Sequence, residues 1–212
     1  MEIIRYAELK AHPWRNGGGV TRELARQPRT ASARTALQNT ADDSGWDWRL
    51  SIAEVSKAGA FSAFAGMDRV LTVIDGELLL LTVDGAEHPL EKYRPFRFSG
   101  DADSAGALPT GDIRDLNVIT RNGAFKGYTS IIELSKKRAH PVFAGQFGIL
   151  LQGQATVSPG TAGGLVPDAS APGTETVPVE LNRYDAVVGS DTATPEILGR
   201  GFLAVVSIDA TV

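Results

Sequence analysis

Apolar residues in this chain recur at every second position or in short blocks, and each run is cut off by Gly, Pro, Asn or Asp. A helix needs its apolar positions three and four apart, so this pattern buries a continuous face only if the segments are strands. The clearest case is Arg69–Ile74, then Asp75-Gly76, then Glu77–Val83. Asp-Gly takes positive φ angles readily, so a hairpin is expected there, with a second turn at Asp84-Gly85. Further strands are expected at Trp48–Val55, Ile113–Arg121, Tyr128–Leu134, Phe147–Gln152, Ala186–Val188 and Phe202–Ile208. Helix candidates are few, the best being Tyr6–Lys10. Many short strands separated by turns imply an all-β sandwich or barrel.

Two segments lack any period that could bury a face: Gln27–Asp47, rich in Ala, Thr, Ser, Asn and Asp, and Pro159–Pro178, rich in Gly, Pro, Ala and Thr. Both read as loop insertions. A weak internal echo pairs Leu71–Ile74, Asp75-Gly76 and Leu78–Leu81 with Phe147–Leu151, Gly153 and Ala155–Val157, as two related β halves would. The 212 residues suffice for either one domain or two.

Composition removes several functions. With 21 Lys and Arg against 25 Asp and Glu, and no long run of like charge, a nucleic-acid or acidic-lipid surface has little support. There is no cysteine, which excludes disulfides, thiol nucleophiles and thiolate metal sites. Histidines occur only at 12, 88 and 140, isolated from one another, so neither a metal site nor a Ser-His-Asp triad is expected. Met1–Tyr6 carries no basic region followed by an apolar one, and no stretch approaches the ~20 apolar residues of a membrane span. A cytoplasmic location is therefore the expectation.

Four clusters could carry chemistry. In Pro13–Glu23 three consecutive glycines, Gly17 to Gly19, leave the backbone unshielded beside Trp14, Asn16, Thr21 and Arg22. This suits close approach to a ligand or to another strand, and equally a tight turn into a strand. The Lys of a phosphate-binding loop is missing. In Trp48–Val55, period two puts Arg49, Ser51 and Ala53 on one face. If that face meets solvent, Arg49 is an ordinary surface cation; if it lines a barrel, Arg49 needs an anion, which a ligand carboxylate would supply. In Phe61–Arg69, the two phenylalanines read as core or pocket wall, and the dipeptide Asp68-Arg69 as a strand entrance of the kind usually found at the surface. In Gly111–Arg121, Asp115, Asn117, Ile119 and Arg121 share a face opposite Leu116 and Val118.

Pro13–Glu23, together with Trp48–Ala53, Gly59–Arg69 and Asp115–Arg121 in that order and at that separation, resembles the HutD/Ves family of the cupin superfamily. The match is specific across residues 13–121 and general beyond them. The resemblance implies a bicupin: two double-stranded β-helix (jelly-roll) barrels, 1–135 with the ligand pocket and 136–212, with strands that can be exchanged between the halves. It also implies a link to histidine utilisation, a ligand such as N-formylglutamate or urocanate, and a regulatory role. Carried over position by position, the motifs assign Trp14, Asn16, Arg49, Ser51, Phe61 and Asn117 to ligand contact. Thr21, Arg22, Asp68, Arg69, Asp115 and Arg121 then support them. The insertions at 27–47 and 159–178, and Ile119-Thr120 where the family commonly has Met, depart from the pattern and bear on ligand identity.

The expectation is thus a metal-independent binder of a small carboxylate metabolite, with no cofactor and no catalytic residue. Exposed strand edges would allow a homodimer. Two rivals stand beside it. One is a metal-free isomerase or hydrolase using Asp68, Asp115 or Glu54 as base; the other is an interaction protein whose barrel interior is filled.

Overall fold

The computed structural model describes residues 1–29, 45–160 and 177–211, so most of both loop insertions lies outside the described residues. Strands make up nearly all of the regular structure. The one helical turn among the described residues is the 3-10 turn Tyr6–Glu8, at the start of the stretch expected to be helical. No helix of the described residues is long and apolar enough to cross a membrane.

Two compact units emerge. One comprises Met1–Glu8 with Ser130–Ser207, the other Leu9–Thr129 with the residues from Ile208 onward. The first eight residues join the later segment because strand Glu2–Ile4 pairs antiparallel with Ala186–Val188. Arg5 adds an ion pair at 2.6 Å to the buried carboxylate of Asp185, and Tyr6 meets Tyr184 edge-on. In this unit the long strand Gln146–Pro159 runs between Ala186–Val188 and Pro195–Ala210. Its core gathers Val142, Leu150, Val157, Leu181, Ile197 and Leu203. Gly153 lies opposite Gly201, and a Cβ on either would fall 1.9 Å from a carbonyl oxygen of the facing strand, so the pair must be glycine.

The unit built on Leu9–Thr129 contains two sheets. Six strands run in the order Ala11–Pro13, Gly19–Pro28, Trp46–Val55, Ile113–Arg121, Met67–Asp75 and Phe96–Ser99; four run in the order Gly59–Ala60, Ser104–Ala107, Leu78–Val83 and Ala86–Glu91. Leu71, Val73 and Phe98 from the first sheet pack with Leu79, Leu81 and Leu90 from the second. Trp46, Asp47, Gln27 and Pro28, assigned to a loop by composition, are strand residues, and Trp46 and Asp47 are buried.

The expected hairpin at Asp75-Gly76 is not one. Met67–Asp75 pairs with Ile113–Arg121 and Phe96–Ser99, whereas Leu78–Val83 pairs with Ala86–Glu91 and Ser104–Ala107. The Asp-Gly step instead turns the chain from one sheet into the other. Gly76 has φ +80°, and a Cβ there would lie 2.7 Å from the Asp112 carbonyl oxygen. At Asp84-Gly85 the expected turn does close a hairpin: both residues have positive φ, and Val83 pairs with Ala86.

Candidate functional site

The three central strands of the six-stranded sheet turn one row of side chains after another toward the second sheet. Cross-strand register stacks them in layers: Val55 with Ile113; Ala53, Asp115 and Val73; Ser51, Asn117 and Leu71; Arg49, Ile119 and Arg69. Period two keeps Ile113 and Asp115 on this face, and the register step between Arg114 and Asp115 passes over Ile74 of the neighbouring strand, which sets Val73 opposite Asp115. The upper layers open into a cavity of about 480 Å³, the size of a small-molecule site. Its apolar walls are Trp14, Phe61, Phe64 and Ile119, and its polar ones are Arg49, Ser51, Arg69 and Asn117.

All six residues assigned to ligand contact line this cavity: Trp14, Asn16, Arg49, Ser51, Phe61 and Asn117. Trp14 meets Phe61 edge-on at 5.8 Å, and its indole donates to Thr21 Oγ1 at 2.8 Å. Asn16 sits exposed at the rim, with its Oδ1 accepting from the Gly18 amide at 3.0 Å. The glycine run serves both readings offered for it. Gly17, at φ +66°, lets the Trp14–Gly19 turn close, and a Cβ on Gly19 would fall 2.4 Å from the Glu54 carbonyl oxygen. Gly19 thus permits close approach to strand Trp46–Val55.

The supporting residues divide. Thr21 and Arg69 line the cavity. Arg22 points elsewhere, into an ion pair with Glu54, which also binds Arg114. Asp68 faces Arg97 at 3.9 Å. Arg121 binds Asp47 at 2.8 Å and the Trp46 carbonyl at 2.9 Å, tying the first residues of strand Trp46–Val55 to Ile113–Arg121. Asp115 lies fully buried in the layer beneath Asn117.

Arg69, read from sequence as part of a surface-type dipeptide, is only 3% exposed. It donates to Asn117 Oδ1 at 3.0 Å and to the Ser62 carbonyl at 3.3 Å, and packs on Phe61, Phe64 and Phe98. The signal was present: period two puts Arg69 in phase with Leu71 and Val73, whose face has to be inward.

Arg49 makes no hydrogen bond or ion pair among the described residues. Its guanidinium lies 5.2 Å from the Trp46 ring and 5.1 Å from Phe64, while that of Arg69 lies 5.4 Å from the same Phe64 ring. Two cations therefore share one aromatic support, and the Nε of each is buried without a partner. Burial pushes the Arg49 pKa down, against the attraction of Glu23 and together with the repulsion of Arg26. Burial pushes Arg69 down to about 10, opposed by Asp115 and reinforced by Arg49. Asp115 is raised to about 7 by burial, in spite of Arg69 and the hydrogen bond from Asn117. Even so, both arginines stay cationic at neutral pH.

Such a wall attracts an anion and repels a metal ion. The three histidines lie on three separate strands, and among the described residues no three His, Asp or Glu side chains converge. The cavity's donors do not fit the oxygen and imidazole ligands that a metal needs. None of Glu54, Asp68 and Asp115 lines the cavity.

A family model described as HutD matches residues 6–205. The chain is 38% identical over 120 residues to an uncharacterised 21.2 kDa protein in the hutC 3′ region of Pseudomonas putida, covering 56% of this chain and 57% of that one. It is 32% identical over 152 residues to the protein Ves of Citrobacter koseri, covering 71% of each. Among solved structures, HutD from Pseudomonas fluorescens in a formate condition matches with a TM-score of 0.74 at 26% identity, covering 100% of this chain and 99% of that one. A cupin 2 conserved barrel domain protein from Leptotrichia buccalis matches at 0.56 with 8% identity, covering 99% and 96%, a likeness of fold alone.

Proposed function

The chain belongs to the HutD family and has a cupin-type β fold, and from that membership and the chemistry of its cavity we propose that it binds a small carboxylate metabolite between Arg49 and Arg69, without a metal. The observation that carries this reading is the pair of guanidinium groups brought to one aromatic ring, one of them with no hydrogen bond or ion pair of its own. Holding two like charges in a partly desolvated wall is costly unless a counter-charge arrives. A carboxylate supplies that charge and accepts charge-assisted hydrogen bonds. Trp14 and Phe61 offer an apolar surface for the rest of the ligand, and Asn117 and Ser51 supply orienting polar groups.

The relative in the hutC 3′ region supports an association with histidine utilisation. In that setting N-formylglutamate and urocanate are the first ligands to test, and the role is regulatory: the protein holds the metabolite without converting it. The two compact units are read as two cupin barrels with exchanged terminal segments. The cavity favours this over the interaction-protein alternative, which requires a filled interior. Titration calorimetry on chelator-treated protein tests the proposal. Saturable binding of N-formylglutamate or urocanate, with the ligand recovered unchanged, is the expected result. No heat with either compound would overturn it, and turnover of the ligand would replace it with the enzymatic reading.

A further inference from the structure

From the cavity wall a chain of polar groups runs inward through Arg69 and Asn117 to Asp115, which does not line the cavity. Asn117 donates from Nδ2 to Asp115 Oδ1 and accepts at Oδ1 from Arg69 Nη2. Its amide orientation is thereby fixed at both ends. Asp115 is fully buried, and its other oxygen, Oδ2, has no hydrogen-bond partner. An ionised carboxylate with one oxygen orphaned in the interior is unusual, because such atoms normally find a donor. A proton on Oδ2 removes the charge and leaves the Oδ1 bond to Asn117 intact.

We propose that Asp115 is a positioning residue that exchanges charge with the ligand: when an anion enters between Arg49 and Arg69, Asp115 takes up one proton at Oδ2, drawn from solvent. This rests on the carboxylate-binding reading above. With the cavity empty, the Asp115 carboxylate is a counter-charge for Arg69, joined to it through Asn117. A bound carboxylate takes over that part. Two negative charges around one buried cation then repel each other, so the proton affinity of Asp115 rises. Asp115 titrates near neutrality before the ligand arrives, so the uptake falls within the accessible pH range.

The surroundings leave few other candidates for that proton. On the adjacent strands the charged groups in the inward layers are Arg69 and Arg49; one strand further, Glu23 lies opposite Ser51, acts on Arg49 and pairs with Arg26. Arg114 pairs with both Glu54 and Asp75, and all three line a separate cleft. Asp68 faces Arg97 and Asp47 faces Arg121. The facing sheet contributes Leu79, Leu81 and Leu90, while His88 packs on Phe96.

The test is calorimetry of N-formylglutamate binding at pH 7.5 in buffers of different ionisation enthalpy, repeated across pH 6 to 9. Wild type should take up between zero and one proton per ligand, and its affinity should fall above pH 7 by at most about tenfold per pH unit, the limit for one proton. Asp115→Asn mimics the protonated form. It should abolish the uptake, flatten the pH profile and bind more tightly than wild type at pH 8.5. A merely structural role for Asp115 would weaken binding at every pH. Equal heats in all buffers with wild type would overturn the charge exchange while leaving carboxylate binding intact. No binding at all would overturn both.

Discussion

Arg49 and Arg69 share a wall of the cavity, yet their surroundings give them different duties. Arg49 has only the rings of Trp46 and Phe64 for support and bonds to nothing else among the described residues. Its guanidinium is therefore available for a ligand. Arg69 is held by the Ser62 carbonyl and by Asn117, and it offsets the charge of Asp115. Arg49→Ala should weaken carboxylate binding by about 1.5–3 kcal/mol, the range for a hydrogen bond to a charged group, while shifting the thermal midpoint little. Arg69→Ala should weaken binding and also lower the midpoint, because it leaves the buried Asn117–Asp115 pair without its cation. Calorimetry and thermal unfolding on the two variants check the split. Equal loss of stability in both would contradict it.

Two Asp-Gly steps of the same composition do different things in this fold. Asp84-Gly85 closes a hairpin in open space, whereas Asp75-Gly76 carries the chain between sheets against Asp112 and Ile113. Both glycines have positive φ, so alanine is strained at either. A Cβ on Gly85 meets nothing within 4 Å, while one on Gly76 would lie 2.7 Å from both the Asp112 carbonyl oxygen and a methyl of Ile113. Gly85→Ala should cost about 1 kcal/mol from backbone conformation alone. Gly76→Ala should cost roughly 1–3 kcal/mol more, because backbone must shift to admit it. Chemical denaturation of the two variants decides, and equal losses would mean that the corner relaxes without strain. The sequence marks both places as turns by the same local chemistry. What it does not contain is the partner of each strand: Met67–Asp75 pairs with Ile113–Arg121, far along the chain.

For the molecule as a whole, the all-β class and the strands Trp48–Val55 and Ile113–Arg121 were legible because period two survives in them almost unbroken, although the first of them begins at Trp46. The same period correctly placed Arg49, Ser51 and Asn117 on common faces. It could not say that those faces point inward, since that depends on which sheet packs over them. Arg69 was undervalued because its neighbour Asp68 makes the pair look like surface, although Leu71 and Val73 share its phase. The burial of Asp115 has a consequence for global stability. Its pKa stands raised, from 3.8 to about 7, so the native state holds the proton more tightly than the unfolded chain between those values. The stabilisation from the neutral form is complete below about pH 4 and is lost as pH rises through about 7. Asp115→Asn, which cannot ionise, should thus be more stable than wild type at pH 8, with the gap closing toward pH 4. Thermal unfolding across that range checks the sign, and a gap that widens on acidification would contradict it.

We propose that an anion belongs between Arg49 and Arg69, and a crystal structure of the protein with N-formylglutamate tests this. The expected result is a carboxylate within about 2.7–2.9 Å of guanidinium nitrogens of both arginines, the distance of charge-assisted pairs. A ligand bound outside the Trp14–Phe61 cavity, or inside it with its carboxylates turned away from both guanidinium groups, would contradict the account.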